Sequence, residues 1–553
     1  MIYATIILAL IDGAGEDKAR QYTQGGQRKG PSMGDEQMLP TLTGLNMENE
    51  EPDPMVEPPH NQRPMPRFEP INREQMVMRV VDVEQLVDQD HPVRAIWEFV
   101  GRLDLSSFCE QIRAVEGERG RPTHHPRLMI CLWVYAYSRG VSSAREIARL
   151  CEYEPACQWL TGMKVVNHHS LSDFRVDHGK ALEKLFAEIL GVLTLEGLID
   201  LERVMHDGTK IKACASKGTF RGEKRVEEHL EIARRHVEEM EAQSDEDMKG
   251  RVAKARRRAT REKQQRLESA VEEFKKIRVS QAEARKKKEE IRVSEIEPEA
   301  RIMKYKDGGY APSYNAQVSA DRLCGVIVGV GLSQSPTDYD ELLGSVDRVK
   351  QNTGKLPVQV VADGGYTSGN NIHGMGERGV DFIAPVADSL SQLKQKGIDE
   401  AFSRQAFVYD GETNSYACPA GKTLPYKGKE RRGKTWRYRY RASAADCQAC
   451  PFKLQCSPKS KRVGRSVMRL EHESELESHA AKMQTEESKQ IYKQRGQTAE
   501  FPWAWIKEKL GLRRFRVRGL MKAGLETIWA CVTYNIQQWI RLRWRDQWAQ
   551  AKT

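Results

Sequence analysis

The sequence predicts an α/β protein. Its core is a mixed sheet with helices, led by an all-helical N-terminal region and interrupted by a charged helical hairpin and a basic, cysteine-bearing insertion. Three observations carry this. Apolar residues repeat at helical spacing from about 79 to 198. From Leu201 onward, apolar runs of strand length are interleaved with helical stretches. Two of those runs end in an Asp-Gly pair, Asp207-Gly208 and Asp363-Gly364.

The chain has 553 residues, which suggests two to four domains. Apolar residues make up 39% and charged residues 30%. That balance fits a soluble, partly modular protein. No apolar run is long enough to cross a bilayer. The stretch Ile2–Ile11 is short, with no basic segment before it and no small-residue cleavage site after it, so it does not read as a signal peptide. It reads as a disordered start, or as the product of an upstream start codon with Met33, Met38, Met47 and Met55 as alternatives.

Residues 1–75 are rich in Gly, Pro, Met, Asn and Glu and lack periodicity, so they are expected to be a disordered tail. Prolines at 52, 54, 58, 59, 64 and 66 mark a linker. Residues 76–200 read as a helical, DNA-binding N-terminal domain. Pro92 opens an amphipathic helix, and Leu128–Tyr137 is apolar on most sides. Ser143-Ala-Arg-Glu146 is a capping-box start, and Ser170-Leu-Ser-Asp173 a second cap leading into Phe174–Leu190. Two capped helices after an apolar one fit a helix-turn-helix reader or a plain helical bundle.

Residues 201–388 read as the first part of an α/β domain. A short strand through Val204 and Met205 is expected to end at His206-Asp207-Gly208. Within residues 222–293, Val226, Leu230, Ala233, Val237 and Met240 alternate spacings of four and three, a heptad seam that Leu267, Val271 and Phe274 repeat. A break at 244–250 predicts an antiparallel helical hairpin, the alternative being a simple dimerising coiled coil. Strand patterns return at Tyr314–Ala320, Val326–Leu332, 358–363 and Phe382–Pro385. Residues 389–488 read as an irregular insertion, and residues 489–550 as long amphipathic helices.

Eleven cysteines, an odd number and mostly alone in apolar segments, argue against a disulfide framework and for a reducing compartment, most simply a bacterial cytoplasm. Cys418, Cys447, Cys450 and Cys456 stand apart. Cys447-Gln-Ala-Cys450 is a CxxC pair, and Cys418-Pro and Cys450-Pro look like zinc-ribbon knuckles. Four thiolates in two loops suit tetrahedral Zn²⁺ in a structural role. The alternative is four reduced, metal-free cysteines.

The net charge is +10, clustered at 251–266, 286–288, 427–441, 459–465 and 513–518. Such clusters suggest a polyanion partner, because Lys and Arg displace counterions from phosphates. Solvated helix faces are the competing account. An aspartate at a strand end followed by Gly is often only a turn residue, yet strand ends are where α/β sheets bind ligands. Glu500 and Lys507 are seven apart, on one face of a helix that also carries Trp503 and Trp505.

These motifs together resemble bacterial insertion-sequence DDE transposases of the IS-four-like superfamily, and within it the IS-eleven-eighty-two family. The resemblance rests on Asp90-His-Pro-Val-Arg94, Gly120-Arg-Pro, His125-Pro-Arg127, Gly140-Val-Ser-Ser-Ala-Arg-Glu146 and Leu171-Ser-Asp-Phe-Arg-Val-Asp-His178. It continues through Asp207-Gly-Thr-Lys-Ile-Lys212, Tyr314-Asn-Ala-Gln317 with Asp321, Asp363-Gly-Gly-Tyr366, and Tyr492, Arg495, Glu500 and Lys507. Two departures stand out: four residues separate Arg495 from Glu500, where three are usual, and Phe501 comes before Pro502.

The resemblance implies an RNase H-like catalytic core in which Asp207, Asp363 and Glu500 hold two Mg²⁺ or Mn²⁺ ions. Carboxylates without His or Cys partners suit such hard cations. Two ions about 3.5–4 Å apart stabilise the attacking and leaving oxygens of an in-line phosphoryl displacement. It further implies cleavage at transposon ends, strand transfer into target double-stranded DNA, and subunits acting in pairs, for which the heptad hairpin suggests self-association into a homodimer. Lys210, Lys212, Arg495 and Lys507 are expected to clamp phosphates, Tyr492 to stack near a frayed base, and Arg513, Arg514 and Arg518 to contact the DNA backbone. The alternatives are a catalytically inactive DNA-binding relative and a metal-dependent nuclease without strand transfer.

Overall fold

The protein is described from a computed structural model, covering residues 73–76, 78, 80–110, 112, 122–242, 250–283, 291–386, 390–432, 435–460 and 462–547. The tail and linker expected over 1–75 fall almost wholly outside the described residues, as does the hairpin break, of which only Gly250 is described. The elements below all belong to one compact unit beginning at Arg79.

Seven helices come first: α1 (Pro92–Val100), α2 (Ser106–Cys109), α3 (Pro126–Ser138), α4 (Ala144–Tyr153), α5 (Pro155–Thr161), α6 (His168–Asp177) and α7 (Gly179–Leu195). Three of them start at a proline, whose fixed φ and missing N–H suit the first helical turn. In each, the residue before the proline caps the helix. His91 Nδ1 accepts from the Val93 amide at 3.2 Å, His125 Nδ1 from Arg127 at 3.1 Å, and Glu154 from Cys157 at 2.7 Å. Ser143 caps α4 as the capping box predicts. The second cap is not Ser170 but Asn167, whose side chain accepts from the His169 amide. The expected long helix is also broken at His178 into α6 and α7. Ser170 is simply inside α6, where its polarity costs little because it is exposed.

The α/β core follows: β1 (Arg203–Lys212), β2 (Phe220–Arg221), α8 (Glu223–Ala242), α9 (Arg251–Glu283), β3 (Val293–Ser294), β4 (Arg301–Lys304), β5 (Tyr310–Asp321), β6 (Ile327–Ser333), α10 (Leu342–Thr353), β7 (Gln359–Val361), α11 (Gly369–Glu377) and β8 (Asp381–Ile383). The mixed sheet has the order β4-β5-β1-β7-β8, with β6 also on β5. β1 is antiparallel to β5 and parallel to β7, and β7 is parallel to β8. β1 is longer than expected. Instead of stopping near Asp207 it runs five residues further, because Asp207 through Lys212 pair with Val318 through Ser313 of β5. Helices α8 and α9 pack against each other as a hairpin. Val226, Leu230, Ala233, Leu267, Ala270 and Phe274 form its own buried cluster, so the heptad seam is satisfied within the chain.

The rest comprises α12 (Leu390–Lys396), β9 (Val408–Asp410), β10 (Ser415–Ala417), β11 (Thr423–Arg432), β12 (Thr435–Arg441), α13 (Ala444–Gln448), α14 (Lys453–Cys456), β13 (Ser466–Leu470), α15 (Glu473–Gln484), α16 (Glu486–Lys493), α17 (Arg495–Glu508) and α18 (Leu520–Trp539). The stretch expected to be irregular holds a five-stranded antiparallel sheet, β13-β12-β11-β10-β9. Its signal was present in β12, where Trp436, Tyr438 and Tyr440 alternate with Arg437, Arg439 and Arg441. The basic residues hid it, since a strand of this kind buries aromatic rings on one face and carries guanidinium groups on the other.

The closing helix α18 is not amphipathic in the usual sense. Fourteen of its residues are buried, among them Trp529, Tyr534 and Trp539. It packs against α3, α7 and β6, so the N-terminal helices and the sheet share one apolar core through it. No helix among the described residues is long and apolar enough to cross a membrane.

Candidate active site

Side chains alternate across a strand, so β1 sends two sets of groups in opposite directions. Met205 joins Val361, Ile383, Met483, Ile491 and Ala499 in an apolar cluster that seats α16 and α17 against the sheet, with Tyr492 half-buried beside it. Asp207 and Thr209 follow on the same face. β7 runs parallel to β1 with Met205 beside Val361. Two residues beyond that pair come Asp207, still on β1, and Asp363, just past the end of β7, and one guanidinium, that of Arg495, lies within 3.9 Å of both. This register is what makes a pair of the two Asp-Gly motifs.

Asp363 lies just past the end of β7 and caps a short 3-10 turn, accepting from the Gly365 amide at 2.8 Å. Asp207 is more enclosed, its side chain 18% exposed against 41% for Asp363. Burial pushes the Asp207 carboxyl up to about 6, despite the lowering effect of Arg495, and the charges of Asp363 and Glu500 push it further the same way. Burial is thus the main cause of the elevation, and two more carboxylates, one just past β7 and one from α17, add to it.

Helix α17 supplies the opposite wall. Arg495, at its first turn, donates to Asp207 Oδ1 at 2.8 Å and stands 3.9 Å from Asp363 Oδ2. Trp503, buried, donates its indole N–H to the Asp207 carbonyl at 3.3 Å, which fixes the helix along β1. Lys507 donates to the Thr209 hydroxyl, and burial lowers its ammonium below the usual lysine range. Glu500 is exposed on the same helix. Trp505 turns the other way and donates to Gln537 of α18 at 2.8 Å. The helix runs on through Pro502 without a break.

Behind β1 lies a polar network that sequence reasoning did not anticipate. His206 is fully buried between Ser319 at 2.9 Å and Gln317 at 3.0 Å, and burial pushes its imidazole down to about 3, so it is neutral. Gln317 also accepts from the Tyr366 hydroxyl at 2.5 Å and donates to Asp338 at 2.8 Å. Asn315 donates to the same Asp338 oxygen at 2.8 Å. Gly208 is required here. A Cβ at that position would stand 2.5 Å from Gln317 Nε2, 2.6 Å from Tyr366 Oη and 2.7 Å from Asp338 Oδ1. Asp338 carries no strand-end signal, because it sits in the loop before α10; the only clue lay in the amide-bearing pair Asn315 and Gln317, which it ties together.

The remaining predicted residues spread along the end of β1. Lys210 donates to the Lys304 carbonyl at 2.6 Å, and the Lys212 ammonium stands 5.9 Å from the Tyr305 ring centroid. Arg513, Arg514, Arg516 and Arg518 are all exposed. They lie not on a helix but on an irregular segment between α17 and α18. Its backbone is tied to β1 by the Lys212 amide donating to the Arg513 carbonyl and the Phe515 amide donating to the Lys212 carbonyl. The buried Glu526 carboxylate of α18 accepts from the Arg516 and Val517 amides. The segment is thus anchored by its main chain and by buried Leu512 and Phe515, leaving the guanidinium groups outward.

The four clustered cysteines come together in the β9–β13 unit. Cys418, Cys447, Cys450 and Cys456 line one cavity with Phe452 and Arg465. The Lys422 amide donates to Cys418 Sγ at 3.3 Å and the Arg465 amide to Cys447 Sγ at 3.2 Å. Burial raises the Cys456 thiol; Arg465 opposes this, and the other three cysteines add to it. Among the described residues, the one group of three or more His, Cys, Asp or Glu whose ligand atoms all lie within 4.8 Å of each other is elsewhere, at His373, His472 and Glu475. Both the carboxylates and the cysteines are therefore more open than that.

A family model described as a transposase DDE domain matches residues 417–540, and one described as a transposase domain of the DUF772 type matches residues 81–177. The first spans the cysteines, Arg495, Glu500 and Lys507, while Asp207 and Asp363 lie outside both. No curated protein matches the chain. Among solved structures, the cryo-EM structure of the piggyBac transposase synaptic complex with hairpin DNA aligns at 9% identity over 82% of this chain and 73% of the other, with a TM-score of 0.27. One match thus falls on the N-terminal helices and the other on the segment that closes the site, and neither spans half of the chain.

Proposed function

We propose that this protein is a DNA transposase with an RNase H-like catalytic core, in which Asp207, Asp363 and Glu500 hold two divalent ions, Mg²⁺ or Mn²⁺. The observation that carries the reading is Arg495 held against both Asp207 on β1 and Asp363 just past the parallel strand β7, with Glu500 on the same helix as that arginine. The donor set fits hard cations: carboxylate oxygens only, two of which already face the cation Arg495. Bound there, the ions would stabilise the attacking and leaving oxygens of an in-line phosphoryl displacement.

The chain's own groups do the positioning. Arg495, released from the aspartates, is placed to meet a phosphate with its planar fork. Lys507, tethered to Thr209 one strand step from Asp207, offers a compact positive charge at the same edge. Trp503 locks α17 to β1 through the Asp207 carbonyl. Lys210, Lys212, Arg513, Arg514 and Arg518 would follow the DNA backbone leading to this edge, and Tyr492 would sit by the scissile end. The substrates would be transposon terminal repeats and target duplex DNA, handled by paired subunits in an insertion sequence of the IS-four-like, IS-eleven-eighty-two kind. Because the hairpin seam is closed within the chain, pairing would use another surface.

One structural Zn²⁺ would be held by the four cysteines, whose thiols would draw closer together around it. Four thiols line one cavity, and two of them accept backbone N–H groups, which orient and stabilise thiolates.

The test is Mg²⁺-dependent cleavage of DNA carrying the repeats that flank the gene. Wild type is expected to cut at the repeat ends and to join a 3′-OH donor strand to target DNA. Asp207→Ala, Asp363→Ala and Glu500→Ala are expected to bind the same DNA without cutting it. Cutting without joining would make the protein a nuclease. Binding without cutting by wild type would make it a non-catalytic DNA-binding relative.

A further inference from the structure

Away from this edge, where α11 meets the start of α15, two imidazole nitrogens meet one carboxylate. His373 of α11 directs Nδ1 at Glu475, 3.0 Å from Oε1 and 3.1 Å from Oε2. His472, the residue before α15, directs its own Nδ1 at the same Oε1 from 3.4 Å. The two imidazoles lie nearly parallel, centroids 4.0 Å apart and planes 18° apart. Ligand atoms of all three residues fall within 4.8 Å of one another.

Two further observations lift this above an ordinary surface ion pair. The first is what supports His373 from behind. Its other nitrogen, Nε2, lies 3.5 Å from Glu377 Oε1, one helical turn along α11. A metal-binding histidine characteristically gives its second N–H to a carboxylate, which sets the tautomer and makes the free nitrogen a better donor. The second is backbone strain. His472 has φ of 59°, the left-handed region that residues with a Cβ seldom adopt. Such strain persists where the surroundings enforce it and gathers at functional sites. Beside it, a Cβ at Gly369 would stand 2.6 Å from the Glu471 carbonyl and 3.3 Å from the His472 Cβ, so only glycine lets the start of α11 approach so closely.

The geometry points to a second metal site, a three-ligand centre made by His373 Nδ1, His472 Nδ1 and Glu475 that takes Zn²⁺ or a similar borderline divalent ion. Two imidazoles and one carboxylate are a nitrogen-rich set that favours zinc over Mg²⁺. A tetrahedral ion with bonds of about 2.0–2.1 Å needs donors about 3.3 Å apart, which the 3.0 Å and 3.4 Å separations approach. Three protein ligands leave a fourth position open to water or an anion. The ion would clamp α11 to α15. Since α15 leads through α16 into α17, this clamp would hold the β9–β13 unit and the Glu500 helix to the sheet that carries Asp207.

The test counts metal on the full-length chain and does not depend on DNA cleavage. Chelator-stripped protein is dialysed against buffered Zn²⁺ with millimolar Mg²⁺ present, and bound zinc is measured by elemental analysis. The variants are His373→Ala, His472→Gly and Glu377→Gln. Glycine at 472 keeps the left-handed backbone without strain, so a folding defect does not confound it. His373→Ala and His472→Gly are each expected to hold one zinc ion fewer per chain than wild type, with unchanged thermal unfolding in chelator. Glu377→Gln is expected to keep the count with affinity reduced about 10- to 100-fold. Equal zinc counts in wild type, His373→Ala and His472→Gly would overturn the proposal, and so would complete displacement of this ion by Mg²⁺. Neither result would bear on Asp207, Asp363 or Glu500.

Discussion

Arg495 donates to Asp207 Oδ1 at 2.8 Å and reaches to 3.9 Å from Asp363 Oδ2, so the cluster of carboxylates already contains a cation from its own chain. That arrangement makes the arginine a competitor of any divalent ion. Arg495→Ala is expected to bind Mn²⁺ more tightly than wild type in the absence of DNA, by roughly 3- to 10-fold at pH 8, because one like charge is gone. DNA cleavage by the same variant is expected to fall by roughly 10²-fold, as a phosphate-binding charge is lost. Mn²⁺ titration followed by electron paramagnetic resonance, alongside a cleavage assay, would show the opposed changes. Weaker Mn²⁺ binding would mean the arginine supports the ion rather than substituting for it.

The elevated Asp207 carboxyl gives a pH signature to the metal-free protein. Its folded value, about 6, lies above the unfolded value near 4, so the folded state holds the proton more tightly. The stabilisation from that proton is complete below about pH 4 and is lost as pH rises through about 6. Asp207→Asn cannot titrate. Relative to wild type, it should therefore gain stability between pH 4 and pH 6 by roughly 1–3 kcal/mol and then hold that gain. Denaturant unfolding of both proteins in chelator at several pH values would reveal the difference curve, and a flat one would place Asp207 in water.

Gly208→Ala is the most economical way to disturb the network behind β1. The added methyl would meet Gln317, Tyr366 and Asp338, which are bonded into one network and have little room to move. A cost of roughly 1–3 kcal/mol is expected from overpacking, with loss of cleavage because Asp207 is the adjacent residue. A variant with wild-type unfolding would show that the Asp338 loop yields easily.

At the cysteines, Cys447→Ser is expected to remove one zinc ion per chain and lower the thermal midpoint, with the serine hydroxyl unable to replace a thiolate. His472→Gly should remove a different ion, so the double variant should lose both. Measured zinc content of the three proteins would separate the two sites, and an unchanged content in Cys447→Ser would leave the cysteines as plain reduced thiols.

Much of the local structure was legible in the residues. His-Pro and Glu-Pro steps start helices because proline suits a first turn and its predecessor can cap it. The hairpin seam at Val226, Leu230 and Ala233 was visible as a heptad pattern. Other features were concealed. β12 alternates aromatics with arginines, so a charge-rich stretch hid a strand. Asn167 rather than Ser170 caps α6, since a cap depends on which residue the chain bends at and not on side-chain type alone.

The sequence by itself determined the chemistry on offer: aspartates followed by glycine, a helix bearing Arg495, Glu500 and Lys507, and four cysteines in a basic segment. Only the tertiary structure decided what those groups meet. The parallel register of β1 with β7 sets Asp207 beside Asp363, α17 brings Arg495 to the same point, and the loop before α10 places Asp338 behind Gly208. Likewise, His472 and Glu475 are near in sequence, but nothing in the spacing hints that His373 meets them. Local propensity acts over a few residues, whereas charges and ligand atoms act over a few ångströms of space, and packing alone brings distant residues within that reach.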